Sequence, residues 1–197
     1  MLIQPITLEQ LGWNSSWDER FAGLRAAGFQ AGRVAVEDRH HYLVHTAHGP
    51  LTGIVSGKLL HHAAAPAELP KVGDWVAVSA LANEAKAVIH RVLPRRTKFS
   101  RKVAGRDTEE QVLVANVDVV FLVQALDDAF RPRLIERHLV MIHESGARPV
   151  IVLNKADLCT DIERNLATAQ NAAAGAPVVV VSAKTGKHIE QLKGLIH

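Results

Sequence analysis

Hydrophobic positions recur along this chain with two different periods, and the change falls near Arg95. Before it, short runs rich in Val and Ile are separated by turn residues, at 33–37, 42–46, 51–56, 74–80 and 87–93. Five short strands in so few residues predict a small closed barrel. Gly49-Pro50 and Val72-Gly73-Asp74 supply turns, and 61–70, with Ala63, Ala64, Ala65 and two prolines, reads as a longer connection. A barrel of this size points to an OB-type fold, although the pattern does not separate it from an SH3-like barrel. Ahead of it, Trp17, Phe21 and Leu24 recur at helical spacing after Asn14, Ser15 and Ser16, any of which can cap a helix. These aromatics are read as packing residues, not as a stacking platform.

After Glu110 the period switches to strand, helix, strand, helix. The run 117–123 is nearly continuous in apolar residues, as expected for a strand buried on both faces. Pro132 suits the first turn of a helix in which Ile135, Leu139 and Ile142 share a face, and Gly146 ends it. A second buried strand follows at 150–153. Thr160 and Glu163 then have capping-box spacing for a helix carrying Ile162, Leu166 and Ala169, closed by Gly175 and Pro177. A third strand at 178–181 precedes an amphipathic segment with Ile189, Leu192 and Ile196. This alternation predicts a parallel sheet with right-handed crossovers and ligands at the carboxyl ends of its strands.

The predicted fold class is therefore an all-β OB-type five-stranded barrel followed by an incomplete α/β parallel-sheet domain. The expected divisions are an N-terminal segment with a short helix at 1–30, the barrel at 31–95, a basic connector at 96–115 and the α/β part at 116–197. Three parallel strands leave an unpaired edge that invites association.

Composition narrows the class. With 48% hydrophobic and 22% charged residues among 197, disorder and coiled coil are excluded, and 5% aromatic content argues against an aromatic-lined groove. The most apolar stretch, 112–126, is cut by Asn116 and Asp118 before it reaches membrane-spanning length, and the first charged residue is Glu9, so no secretory signal is read. The single cysteine, Cys159, forbids an internal disulfide and suits a reducing cytoplasm.

Charge is unevenly placed. Lys86, Arg91, Arg95, Arg96, Lys98, Arg101, Lys102 and Arg106 follow one another with no Asp or Glu between them. From Arg91 onward these are the RNA-binding candidates; the competing reading is a solvated loop. His40, His41, His45, His48, His61 and His62 lack a carboxylate or cysteine at ligand spacing, so no metal site is assigned to them.

Chemistry concentrates at the two later strand ends. Asn154-Lys155-Ala156-Asp157 follows the second buried strand and Ser182-Ala183-Lys184 the third. An N-K-x-D tetrapeptide alone arises by chance in only about a few per cent of chains this long, and both loops lie where this fold places ligands. Guanine presents a ring N–H beside an exocyclic amine, and the Asp157 carboxylate can accept both in a fork. The Ala183 amide can donate to the guanine carbonyl, the stems of Lys155 and Lys184 can cover the two faces of the base, and Asn154 can tie the loops together. The competing reading is that Asn154 and Asp157 close a strand-to-helix turn while Ser182 caps the next helix. No G-x-x-x-x-G-K-[ST] phosphate loop is present, since the Gly57-Lys58 and Gly186-Lys187 pairs have Thr52 and Val181 where the first glycine would stand. A dinucleotide oxidoreductase is disfavoured because G-x-G-x-x-G is absent.

These residues resemble the RsgA (YjeQ/EngC) family of circularly permuted GTPases, in which an OB domain precedes a G domain that begins with its base-recognition motifs. The resemblance runs from about Ala31 onward. It is carried by Val72-Gly73-Asp74-Trp75-Val76, Phe99-Ser100-Arg101-Lys102, Gly105-Arg106, Thr108-Glu109-Glu110-Gln111, Ala115-Asn116-Val117-Asp118 and 149–157. In that family the phosphate loop, the switch regions and a C-terminal zinc-binding domain come later than the motifs matched here, so this sequence resembles the N-terminal part. The resemblance implies a cytoplasmic, monomeric GTPase that binds GTP and GDP, uses Mg2+ and structural Zn2+ in the full-length protein, and acts late in maturation of the small ribosomal subunit. Its OB domain is expected to contact rRNA. The alternative is a non-catalytic RNA-binding barrel with the partial G domain as scaffold.

Overall fold

The Asn14 carboxamide accepts the Trp17 amide and starts helix α1, Ser15–Ala26, while Asp18 in its first turn and Arg25 in its last complement the helix dipole. The computed structural model describes residues 6–39, 41–82, 84–102, 110–128 and 130–196. Its contacts divide the chain into two units, Met1–Asn116 and Val117–His197.

In the first unit, β1 (Gln30–Asp38), β2 (His41–Thr46), β3 (Gly49–Val55), β4 (Trp75–Ala80) and β5 (Lys86–Val92) form a closed barrel in the order β1-β2-β3-β5-β4. β3 and β5 pair in parallel and β1 closes antiparallel onto β4. This closure is OB-like and settles the choice that the strand pattern left open. Alternate inward residues, among them Val34, Val44, Val76, Val78 and Ile89, fill the interior. Trp17 and Phe21 are buried with Trp13 and Trp75 against the outside of the barrel, Trp13 meeting Trp75 edge-on at 4.7 Å. The α1 aromatics are therefore packing residues.

Two segments of this unit depart from expectation. The connection predicted at 61–70 is partly helical: α2, Gly57–His62, is capped by Ser56, and a 3-10 turn spans Pro66–Glu68. Within 96–115, β6 (Lys98–Lys102) and β7 (Glu110–Ala115) pair as an antiparallel hairpin. The cationic residues hid the strand period of β6, which is anchored through buried Val112 and Ala115 on its partner. Lys98 and Ser100 both reach Glu110, at 2.6 Å each, and their hydrogen bonds hold its carboxyl below the usual range. Gly105, Arg106, Thr108 and Glu109 lie outside the described residues.

The Val72–Val76 motif is explained by packing. Gly73, at φ +88°, has the Ala115 carbonyl oxygen 2.0 Å from where a Cβ would stand. Asn116 donates to the Gly73 carbonyl at 3.1 Å and accepts the Arg96 amide at 2.9 Å, stapling the hairpin to the barrel. Asp74, fully buried, accepts two bonds from Arg95, at 2.9 and 2.7 Å, and the Lys71 amide at 2.8 Å.

In the second unit, β8 (Val119–Ala125), β9 (Arg148–Asn154) and β10 (Val178–Val180) form a parallel sheet in the order β10-β9-β8. Helices α3 (Pro132–Ser145) and α4 (Ile162–Ala172) pack on one face through Ile135, Leu139 and Ala169, and the short α5 (Ile189–Lys193) supplies Ile189 and Leu192 to the other. Pro132 opens α3, and Gly146, left-handed at φ 81°, closes it.

Three details correct the sequence reading. β8 is only half-buried, and Val123 is 57% exposed, because β8 lies at a sheet edge and α5 is too short to cover it. Asp161, not Thr160, caps α4, accepting the Arg164 amide at 3.1 Å, since the first helical residue is Ile162. Ile196 lies past the end of α5 and stays exposed. No helix among the described residues is long and apolar enough to cross a membrane.

Candidate functional site

The carboxyl ends of adjacent parallel strands β9 and β10 bring the two motif turns side by side. Val181 N–H donates to the Leu153 carbonyl at 2.8 Å and Ala156 N–H to the Val181 carbonyl at 3.1 Å, so the second turn is threaded to the first by main-chain bonds. Side chains lock the register. The buried Ser182 hydroxyl donates to Asp157 Oδ1 at 2.6 Å, and Asn154 Oδ1 accepts the Ala183 amide at 3.0 Å. Ser182 Oγ also accepts the Thr185 amide, and Ser182 N–H reaches the Lys187 carbonyl, closing the second turn into a tight loop.

Asp157 remains exposed despite this bond. Its carboxyl is held below the usual carboxylate range first by the Ser182 hydroxyl, which outweighs the opposing effect of burial, and further by its own backbone amide and by Lys184 and Lys155. The group is thus an oriented carboxylate with acceptor capacity left over. Lys155 sits in the left-handed region at φ 64°, an uncommon conformation for a residue with a Cβ. Its ammonium is bound to Asp127 Oδ2 at 2.7 Å, and Leu126 N–H donates to the Asn154 carbonyl at 2.7 Å, so the loop after β8 forms a third wall. Asp127 was not found from the sequence, where nothing in its spacing marks it as a partner of Lys155. Lys184 is exposed at the rim.

The Ala183 amide, expected on sequence to meet the guanine carbonyl, donates in this structure to the half-buried Asn154 carboxamide, the tie between the two loops expected of Asn154.

The basic candidates separate sharply by environment. Arg95 is a structural residue: besides Asp74, its guanidinium donates to the carbonyls of Ala67 and Leu69, at 2.6 and 3.0 Å, and its side chain is 15% exposed. Its donors are thus engaged within the first unit. Lys98 pairs with Glu110, and Arg101 donates to Gln111 at 2.9 Å. Arg91 and Arg96 are exposed. The side chain of Lys102 and all of Arg106 lie outside the described residues. Of the nearby aromatics, Trp75 and Tyr42 are buried and closed to stacking. Among the described residues no group of three or more His, Cys, Asp or Glu is placed to hold a metal ion.

An OB-like barrel ahead of a parallel sheet whose second and third strands end in N-K-x-D and S-A-K defines a protein of the circularly permuted GTPase class. Residues 92–197 match the family model described as RsgA GTPase, and the chain belongs to that family. It is 43% identical over 195 residues to the small ribosomal subunit biogenesis GTPase RsgA of Opitutus terrae, covering 95% of this chain and 53% of the relative. Identity to the protein of the same description from Syntrophotalea carbinolica is 36% over 194 residues, again with 95% and 53% covered. The chain thus spans about half the length of the curated relatives it matches. Among solved structures, YjeQ from Thermotoga maritima superposes with a TM-score of 0.67 at 25% identity, over 85% of this chain and 56% of that one. YloQ, described as a circularly permuted GTPase, gives 0.60 at 19% identity over 84% and 55%, a likeness of fold.

Proposed function

We propose that this chain is the guanine-recognition and RNA-contacting part of a cytoplasmic GTPase acting late in maturation of the small ribosomal subunit. The observation that carries the reading is the double lock between the motif turns, Ser182 to Asp157 and Ala183 to Asn154. Ser182 fixes the plane of the Asp157 carboxylate, whose free lone pairs accept the ring N–H and the exocyclic amine of guanine; adenine offers no such pair. Asn154 holds the Ala183 amide through Oδ1 and turns its Nδ2 donor to the acceptor edge of the base. Lys155, steadied by Asp127, lays its aliphatic stem along one face, and Lys184 covers the other.

GTP and GDP are the ligands this arrangement selects. Magnesium and structural zinc are expected in the full-length protein. Without a phosphate loop in the sequence, the 197 residues alone bind nucleotide weakly and turn over GTP negligibly, since charge-assisted phosphate contacts are worth roughly 1.5–3 kcal/mol each. RNA contact rests on the exposed cations of the first unit and, with Trp75 and Tyr42 buried, reads backbone and shape more than stacked bases.

The test is base competition. Asp157→Asn is expected to weaken guanine nucleotide binding by about 1.5–3 kcal/mol, roughly tenfold to a hundredfold, and to improve xanthine nucleotide binding, because the new amide donates where the carboxylate accepted. Titrating GDP and XDP into wild type and variant reads both; unchanged guanine preference in the variant sinks the assignment.

A further inference from the structure

On the first unit, a groove of about 660 Å³ is lined by Arg20, Gly23, Leu24, Arg91, Leu93 and Pro94. Its apolar floor comes from Leu24, Leu93 and Pro94, and the space beside Gly23 is open, a Cβ built there meeting nothing within 4 Å. Arg20 and Arg96 lie over the same ring, with guanidinium carbons 5.2 and 5.9 Å from the Trp17 centroid. The ring itself is 2% exposed, so the two guanidinium groups form part of its cover and are confined to one small area.

Arg20, Arg91 and Arg96 differ from their neighbours in having no carboxylate partner among the described residues. Arg25 is paired with Asp18 at 2.7 Å, Lys98 with Glu110 at 2.6 Å, and Arg95 with Asp74 at 2.7 Å. Asp18 is further engaged by the Trp13 indole, and Glu19 on α1 makes no ion pair with any of the three. A guanidinium held over an indole by the charge–ring attraction keeps its N–H donors available for a forked contact to phosphate. Pre-ordering a long side chain in this way lowers the entropy cost of binding.

We propose that this groove, between α1 and the end of β5, binds the phosphodiester backbone of RNA through Arg20 and Arg91 of its lining and through Arg96, which lies outside the lining but shares the Trp17 ring with Arg20, with Leu24, Leu93 and Pro94 receiving the sugar edge. The proposal rests on the RNA-contacting reading above and adds its location. It brings in Arg20, which stands far from the basic run in sequence, and leaves out Arg95.

The experiment is fluorescence anisotropy of a labelled RNA duplex with the 197-residue chain across a salt series. The Arg20→Gln/Arg91→Gln/Arg96→Gln variant is expected to flatten the slope of log affinity against log salt by about 2–3, at roughly 0.7–0.9 for each phosphate no longer neutralised, and to weaken binding by about tenfold or more at low salt. Arg91→Gln alone, which disturbs no stacked ring, is expected to flatten it by about 0.7–0.9 with an unchanged melting temperature. An equal-charge control on the second unit, Arg133→Gln/Arg137→Gln/Arg164→Gln, is expected to leave the slope unaltered. Wild-type chain that fails to bind RNA overturns the RNA reading itself. Binding that persists unchanged in both groove variants, or that falls equally in the control, overturns the groove alone. Displacement of RNA by polyglutamate at equal charge concentration would reassign the groove to an acidic protein segment.

Discussion

Asp74 and Asp157 are both held by a polar partner beside a strand end, yet they do opposite things. Asp74 is fully buried and its oxygens are taken by Arg95 and the Lys71 amide. Asp157 is exposed, and Ser182 orients it without filling it. A carboxylate whose acceptors are all consumed inside the fold serves the fold. One that is aimed but left open can serve a ligand. The same distinction divides the arginines, with Arg95 spent on Asp74 and two carbonyls while Arg20, Arg91 and Arg96 keep their in-plane donors.

The sharpest way to break this comparison is to remove the partner of the saturated carboxylate. Arg95→Ala leaves Asp74 charged and buried, and is expected to destabilise the first unit by about 3–5 kcal/mol in chemical denaturation. If Arg95 were a surface cation, the loss would be close to zero. Gly73→Ala tests the same corner through the backbone: a methyl group would stand 2.0 Å from the Ala115 oxygen at a φ of +88°, and about 3 kcal/mol of stability is expected to go.

Effects on the open carboxylate are smaller and appear in binding. Ser182→Ala removes the orienting hydroxyl and is expected to cost about 0.5–1.5 kcal/mol of guanine nucleotide affinity with guanine preference retained, read by calorimetry. The Ser182 bond depresses the Asp157 carboxyl, so what that bond contributes is fully present above the ordinary value of 3.8 and lost as pH falls through the lowered one. Ser182→Ala should move the Asp157 titration back up toward 3.8, visible in carboxyl chemical shifts. Asp127→Ala is expected to weaken nucleotide binding by about 0.2–1 kcal/mol without a change in melting temperature, because an exposed ion pair adds little to stability.

The N-K-x-D and S-A-K turns were legible from spacing alone, because a buried parallel strand followed by a polar turn puts its ligand end in a known place. The partner of Arg95 was hidden for an equally physical reason: sequence counts its charge, and only the fold reveals that Asp74, some twenty residues earlier, pairs with it. The β6–β7 hairpin was hidden likewise, its strand period masked by cations whose partners, Glu110 and Gln111, lie across the pair.

What the chain alone determined was whatever depends on period and local chemistry: the five barrel strands, the α/β alternation, Asn14 and Gly146 at helix ends, and the residue types of the two motif turns. Only tertiary structure decided the parallel β3–β5 closure, the engagement of the Ala183 amide by Asn154, the Asp127–Lys155 pair and which cations remain unpaired. Each of these joins residues distant in sequence. A periodic pattern records which face a residue turns inward, but not which partner it meets there.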